Sequence, residues 1–452
     1  MTVTLAPRAL VGPHPVPAGR GRWRFTLHER EYALSPTGGA AYTWPGINWQ
    51  ETQYGELSGA RGRRLERAQN RAATFTFTVN GRDPIASQVR ELQTDVYAWR
   101  WDDWAGRDVC VARLIVDHAQ DQLTEQSHTV TFGCHDYLAM LERRFLTRST
   151  GTADSVVWHL TQDEIVDNLV GGYGVNAHTF LTGDGSSYYL IPGCYLPLFV
   201  VRVTASGLPR TLASPMRDRT YQFGSEVYEL IDNLANVING FDYDVLPQPE
   251  VPAGLSGIFP NPGNKDVLRI FYPAQGVIRT NMALVYGGNV ATVDRTVSSA
   301  DYANRIWAIG NKGSAAPDAA QRYSDAYNDS ATSTVAGLWM EVLNGPDVST
   351  QAHLDEQAQG ELDLKGTLVP SYTLGMRPGQ YRYGYPNIGD IVPFEVTSGR
   401  LDVQEDLRIT GLTYAIGDDG DENIELTVGR PPPTLGRLFR KNQNTMDALT
   451  RR

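Results

Sequence analysis

Residues 73–79, Ala-Thr-Phe-Thr-Phe-Thr-Val, alternate apolar and polar side chains without a break, and Asn80-Gly81 follows them. A period of two puts Phe75, Phe77 and Val79 on one face of a strand, whereas a helix would scatter them around its axis. Asn-Gly is turn chemistry, so the strand ends there. A strand with one apolar face cannot stand alone, and the chain around it supplies neighbours. Trp23–Leu27 and His128–Cys134 repeat the alternation, the latter with Val130, Phe132 and Cys134 on one side, and Val96–Trp101 and Val109–Val116 read as the strands of a hairpin turning near 102–106. Between them, Asp83-Pro84 predicts a short helix, because Asp caps and Pro fits the first helical position. Its inward face would carry Ile85, Val89 and Leu92. Asp117–Ser127 reads as a polar connection. Asp136 is expected to cap a helix bearing Leu138 and Leu141.

The pattern changes after Arg144. Thr161-Gln162-Asp163-Glu164 is a capping-box sequence ahead of Ile165 and Leu169. A helix is expected over 225–239, with Val227, Leu230, Ile231, Leu234, Val237 and Ile238 as its apolar stripe and Gly240 as its stop. A strand at 241–245 and a Pro/Gly/Asn-rich loop at 247–265 follow. From Asn289 strands resume, interrupted by a helix over 351–364 with Ala358, Leu362 and either Ala352 or Leu354 inward. Gly389–Phe394, Leu407–Tyr414 and Ile424–Val428 close the series, the last two joined by an Asp419-Gly420 turn. The expected organisation is an arm at 1–20, a strand-rich unit at 21–150, a mixed α/β unit at 151–290, a second strand-rich unit at 291–430 and a tail at 431–452. Cys110–Val116 with Thr129–Cys134 echoes Leu407–Tyr414 with Glu425–Val428. Duplication and the commonness of such pairs both remain open as explanations.

Composition sets limits on function. The chain of 452 residues has 51 acidic and 40 basic residues, a net charge of −11, which argues against a dedicated nucleic-acid binder. Only four of the basic residues are Lys, a bias that fits a GC-rich genome. The tail runs against the overall charge: Arg437, Arg440, Lys441, Arg451 and Arg452 face one acid, Asp447. Pro431-Pro432-Pro433 stiffens the entry to it. Leu435, Leu438, Phe439, Met446 and Leu449 can form an apolar stripe, so Arg437, Leu438, Phe439, Arg440 and Lys441 are candidate partner-docking residues. Cys110, Cys134 and Cys194 show neither disulfide-framework nor CxxC spacing. No signal-peptide core is visible, and Tyr188–Val203 is broken by Pro192, Gly193 and Pro197, so no membrane span and no export by a standard signal are expected.

The search for chemistry is mostly negative. No HExxH, GxSxG, P-loop or GxGxxG occurs. Cys134 and His135 are adjacent, and strand alternation sends them to opposite faces. Asp102-Asp103 between Trp101 and Trp104 suggests a sugar site, but a hairpin tip explains it as well. Asp418–Glu422 lacks the spacing of a calcium loop and reads as a turn. Trp44, Trp49, Tyr54, Tyr372, Tyr381, Tyr383 and Tyr385 could stack on saccharides or pack as cross-strand core. The Tyr188–Val201 stretch reads as a buried strand pair before an apolar finger. No catalytic residue, cofactor or metal site is expected.

The order of segments carries a resemblance. FTFTVNGRDPIASQVRELQTDVYAWR at 75–100, HTVTFGCHDYLAMLERR at 128–144, EVYELIDNLANVINGFDYDV at 226–245, LVYGGNVATVDRTVSSADYANRIWAIGN at 284–311, and GDIVPF with RITGLTYAIGDDGDENIELTVGRP resemble the baseplate hub or tail-tip proteins of long-tailed bacteriophages. The resemblance spans about 25–430. It implies a mainly β protein, two β-barrel hub domains flanking an α/β domain. It further implies a homotrimer whose six similar barrels match a sixfold tail tube. Implied partners are a distal tail or tail tube protein, the tape measure protein and downstream tip or fibre proteins, with DNA only in transit. The implied location is the virion tail tip, after assembly in the host cytoplasm, and the Arg bias suits an actinobacterial host. No lysozyme-like or peptidase insert accompanies these motifs. A cell-wall polysaccharide binder and a peptidoglycan hydrolase are the competing classes.

Overall fold

The computed structural model describes residues 22–33, 48–146, 155–170, 198–208, 214–236, 240–251, 266–300, 302–310, 323–327, 336–345, 351–366, 368 and 370–429. The arm, Trp44, Cys194, most of the Tyr188–Val201 stretch and the tail with Arg437, Leu438, Phe439, Arg440 and Lys441 lie outside the described residues.

The chain is mainly β, and its largest element is a thirteen-stranded sheet that curls into a half-barrel. The first part contributes β1 (Trp23–Ala33), β2 (Asn48–Glu56), β3 (Arg61–Ala68), β4 (Thr74–Asn80), β5 (Thr94–Asp102), β6 (Arg107–Leu123) and β7 (His128–His135). The last part contributes β13 (Leu284–Val285), β14 (Val290–Thr296), β18 (Ser371–Met376), β19 (Ile391–Ser398), β20 (Leu401–Ile416) and β21 (Glu422–Gly429). The alternating run at 73–79 folds as read: Phe75, Phe77 and Val79 are buried in β4, and Phe75 stacks between Phe25 and Phe77.

Strand order within the sheet repeats. The first part is ordered β3-β4-β7-β6-β5, and the last β14-β18-β21-β20-β19. In each, one long strand turns a corner: β6 pairs with β5 along its first half and β7 along its second, as β20 does with β19 and β21. The echoing segments lie on equivalent strands, β6 with β7 and β20 with β21, but Cys110–Val116 falls mostly before the corner and Leu407–Tyr414 mostly after it. The sets are joined because β20 also pairs with β3. One hydrophobic core spans both, from Trp23, Phe25 and Leu65 to Tyr414, Leu426 and Val428, so the two strand-rich units do not keep separate cores.

Two readings of the first part need correction. The helix α1 (Pro84–Gln88) is capped by Asp83, whose carboxylate accepts from the Ile85 amide, but it stops before Leu92. Leu92 is exposed with φ of 61°, in a turn where its amide donates to the Val116 carbonyl. Asp117–Leu123 is not a loop. It continues β6 as a strand against β7, and its side chains are nearly all exposed, so a ribbon with both faces wet hides the usual alternation. Asp136 caps a 3₁₀ turn at Tyr137–Arg143, with Leu138 and Leu141 buried.

The middle part forms a second core. It holds β8 (Ser155–Thr161), α2 (Gln162–Val170), β9 (Leu198–Val203), β10 (Met216–Gln222), α3 (Val227–Ala235), β11 (Asp242–Leu246) and β12 (Asp266–Phe271). The capping box is present: the Thr161 amide donates to Glu164 Oε2 at 2.9 Å. Parallel pairing of β9 with β12 and antiparallel pairing of β12 with β11 make one small sheet. A third unit interrupts the last part between β14 and β18. Here β15 (Arg305–Gly310), β16 (Tyr323–Tyr327) and β17 (Met340–Gly345) form a sheet in the order β16-β15-β17. The helix α4 (Gln351–Lys365) buries Leu354, Ala358 and Leu362 against Ile306 and Ala308. At the equivalent place in the first part, only the turn 69–73 joins β3 to β4.

Candidate functional site

The junction between the two strand sets shows what one set offers the other. Tyr414 stands opposite Leu65, and Ile416 opposite Arg63, in an antiparallel ladder. Both Leu65 and Tyr414 are fully buried. Charge fixes the far end. Glu422 of β21 accepts from Trp23 Nε1 at 2.7 Å and from Arg100 Nε at 2.8 Å, and Arg63 donates to the Gly417 carbonyl. Arg100 is buried, and a bidentate carboxylate is the partner a buried guanidinium needs.

The equivalent surfaces at the other ends of the two sets are open among the described residues. β14, the counterpart of β3, pairs only with β18. The second half of β6, the counterpart of the β20 segment that takes β3, pairs only with β7. Both edges are seven residues long, 290–296 and 117–123, and both are mainly exposed. Carrying the junction register across sets Thr296 opposite about Gln120 and Val293 opposite about Leu123. In that register Arg295 stands opposite Asp121, with Asp117 further along the same edge. These two carboxylates already hold His135 and His128, at 2.7 and 3.0 Å. Unpaired strand edges are templates for pairing with another chain unless bulges, charge or cover block them.

A buried ionic cluster fixes the middle part to the sheet. Arg113 of β6 reaches Asp95 of β5 at 3.1 Å and Asp266 of β12 at 3.3 Å, and Arg30 reaches Asp95 at 3.1 Å. The Tyr137 hydroxyl donates to Asp95 at 2.6 Å. Nearby, Asp242 accepts from Gln69 Nε2 at 2.5 Å and from the Gln275 amide at 2.7 Å. Asp136, its carboxylate buried but bonded to the Ala73 and Leu138 amides, is pushed up to about 7 by loss of hydration. Backbones meet closely here. Gly276 and Gly389 have φ of 92° and 89°, and a Cβ on Gly276 would fall 2.0 Å from the Gly389 carbonyl carbon.

The candidates read from sequence do not gather into a catalytic centre. Cys134 is buried and its thiol pushed well up by burial, while His135 points away to Asp117. Asp102 and Asp103 sit at the β5–β6 hairpin tip. Asp102 accepts from the Trp104 amide at 2.9 Å and Asp103 pairs with Arg22 at 2.5 Å, which leaves no spare carboxylate pair. Asp418–Glu422 is the β20–β21 turn, with Gly420 at φ of 84°. Tyr372 and Tyr381 are core residues, and Tyr381 contacts Tyr414. Tyr385 stacks instead on Arg279, at 4.6 Å. No group of three potential metal ligands occurs among the described residues, and no helix there is long and apolar enough to cross a membrane. Sequence reading missed the partners that matter for assembly of the fold: Glu422 for Arg100, Asp266 for Arg113, Asp242 for Arg408. Nothing in local sequence marks pairs this distant. The two open edges were missed because Asp117–Leu123 reads as a loop.

No known protein family matches the chain, and no curated protein matches it in sequence. Solved structures do. A 43 kDa tail protein of prophage MuSo2 from Shewanella oneidensis superposes with a TM-score of 0.50 at 13% identity, over 90% of this chain and 98% of that one. A tail protein from Neisseria meningitidis MC58 gives a TM-score of 0.50 at 12% identity, over 90% of this chain and 96% of that one. Neither source supports an actinobacterial host. In fold, this chain is similar to these two phage tail proteins along nearly the whole length of each.

Proposed function

We propose that the protein is a structural component of a phage tail tip, a hub in which three copies close a ring, and that it catalyses no reaction. One observation carries the reading. The same five-strand order occurs twice, and the contact that joins the two sets within a chain has an open equivalent at each end. A surface that repeats head to tail closes a ring or runs on as a filament. In this reading β14 of one copy adds to the 117–123 edge of the next. The number three comes from the sixfold tube that the resemblance implies: two strand sets per copy give six around the ring. A net charge of −11 suits a channel that DNA and a tape measure protein pass without sticking. The tail 431–452, with Arg437, Leu438, Phe439, Arg440 and Lys441, is a docking element for an acidic surface.

Mass photometry of the purified protein, alone and with its tail tube protein, tests this. The expected species is a trimer, and negative-stain images should show a ring at the tail tip. A protein that stays monomeric in both settings would overturn the reading.

A further inference from the structure

We infer that the C-terminal tail docks on the face of this chain's own β15–β17 sheet that α4 does not cover. The inference rests on the tail as a docking element and not on ring closure.

That sheet has two faces of opposite character. On one, α4 covers Ile306 and Ala308, and Lys365 at its end reaches Glu341 at 2.8 Å and Glu361 at 3.0 Å. Register sets Trp307 beside Val342 and Arg305 beside Met340, so strand alternation turns these residues to the other face. There Trp307 is 38% exposed, Met340 47% and Val342 53%, and the paired Arg305 and Asp325 share this face. An antiparallel or mixed sheet commonly leaves one face to solvent, but that face is then polar. An apolar face of this kind marks an interaction site.

Three observations select the tail as its occupant. The first is charge. Residues 297–370, which contain the unit, have ten acidic and four basic residues, a balance of −6 for the unit as a whole with four of the acids on α4, while 431–452 have five basic residues and one acid, a balance of +4. The second is position. Gly429, where β21 ends, lies opposite Ser371 and against the Pro370 carbonyl, so the chain leaves the sheet beside the segment that descends from α4. The same root is tied to the unit by the Ala303 amide, which donates to the Lys365 carbonyl at 3.2 Å. The third is composition. Leu435, Leu438 and Phe439 follow the Pro431-Pro432-Pro433 run, so apolar side chains arrive together with Arg437, Arg440 and Lys441. Even as a helix at ~1.5 Å per residue, the tail has ample length to lie across three strands spaced ~4.8 Å apart.

Trypsin provides the readout, because Arg437, Arg440 and Lys441 are its cleavage sites. The rate of tail release from the full-length protein is compared with the rate at which a synthetic 431–452 peptide is cut. The docked tail should be cut at least ~10-fold more slowly than the peptide. Val342→Lys and Met340→Lys should each restore the peptide's rate, with melting unchanged because both sites are exposed. Leu438→Asp with Phe439→Asp tests the same contact from the tail side and leaves the sheet intact. Protection should be the same at low and high protein concentration and should weaken in high salt. A wild-type tail cut as fast as the peptide would overturn the inference. Protection that survives Val342→Lys and Met340→Lys, or that vanishes on dilution, would do so equally, by assigning the tail to another surface or another copy. Oligomeric state is measured separately, so failure here leaves the ring reading standing or falling on its own.

Discussion

Leu65 of β3 stands directly opposite Tyr414 of β20, and through that register the first and last parts of the chain share one sheet and one core. Truncation at this point should be felt by both. Leu65→Ala removes a fully buried side chain at the seam, a change that costs ~2–5 kcal/mol in packed cores. Denaturant unfolding followed by tryptophan fluorescence should shift in one cooperative step. Two resolved transitions, with only one displaced, would show that the strand sets fold as separate domains.

Arg113→Met leaves the carboxylates of Asp95 and Asp266 buried without their shared cation. Breaking a buried pair by removing one partner typically costs about 3–5 kcal/mol. Because Asp266 opens β12, hydrogen exchange should quicken in β9, β11 and β12 more than in β20 and β21. Uniform acceleration across the molecule would contradict a local anchoring role.

Stability should depend on pH in a direction set by Asp136. Its folded value, about 7, lies above the ordinary 3.8, so the folded protein binds the extra proton between those values. That contribution is complete below about 3.8 and is lost as pH rises through about 7, at up to about 1.4 kcal/mol per pH unit. His28 works the other way. Burial, and then the charges of Arg113 and Arg24, lower it to about 4, so stability falls as pH drops from 6.5 toward 4. Asp136→Asn should therefore flatten the fall in melting temperature between pH 5 and 7.5, whereas His28→Gln should steepen it. Parallel profiles for wild type and Asp136→Asn would show that this carboxylate does not titrate there.

What sequence could and could not reveal follows from the range of each interaction. Phe75, Phe77 and Val79 announce β4 because alternation is local, and Asp83, Asp136 and Thr161 announce their turns because capping needs only neighbours two or three positions away. Leu92 defeats the same logic: a helical spacing of apolar residues continued past the point where the backbone leaves the helix. Asp117–Leu123 was illegible for a different reason. A strand that is wet on both faces carries no hydrophobic period, so it looks like a loop. The seam itself, with Arg100 on Glu422 and Leu65 facing Tyr414, joins residues hundreds of positions apart and leaves no local trace. The echo between Cys110–Val116 and Leu407–Tyr414 was visible, but only the strand order gave it structural meaning.

The most direct test of ring closure places cysteines at the two open edges. Asp294 of β14 and Gln122 of β6 are both exposed and stand opposite one another in the transferred register. Cys110 and Cys134, being buried, should not compete, and Cys194 is replaced by Ser in the test protein. Mild oxidation of Asp294→Cys/Gln122→Cys should give a covalent trimer on a non-reducing gel, while each single variant stays monomeric. Persistence of monomers in the double variant, or a ladder running beyond three, would contradict the account.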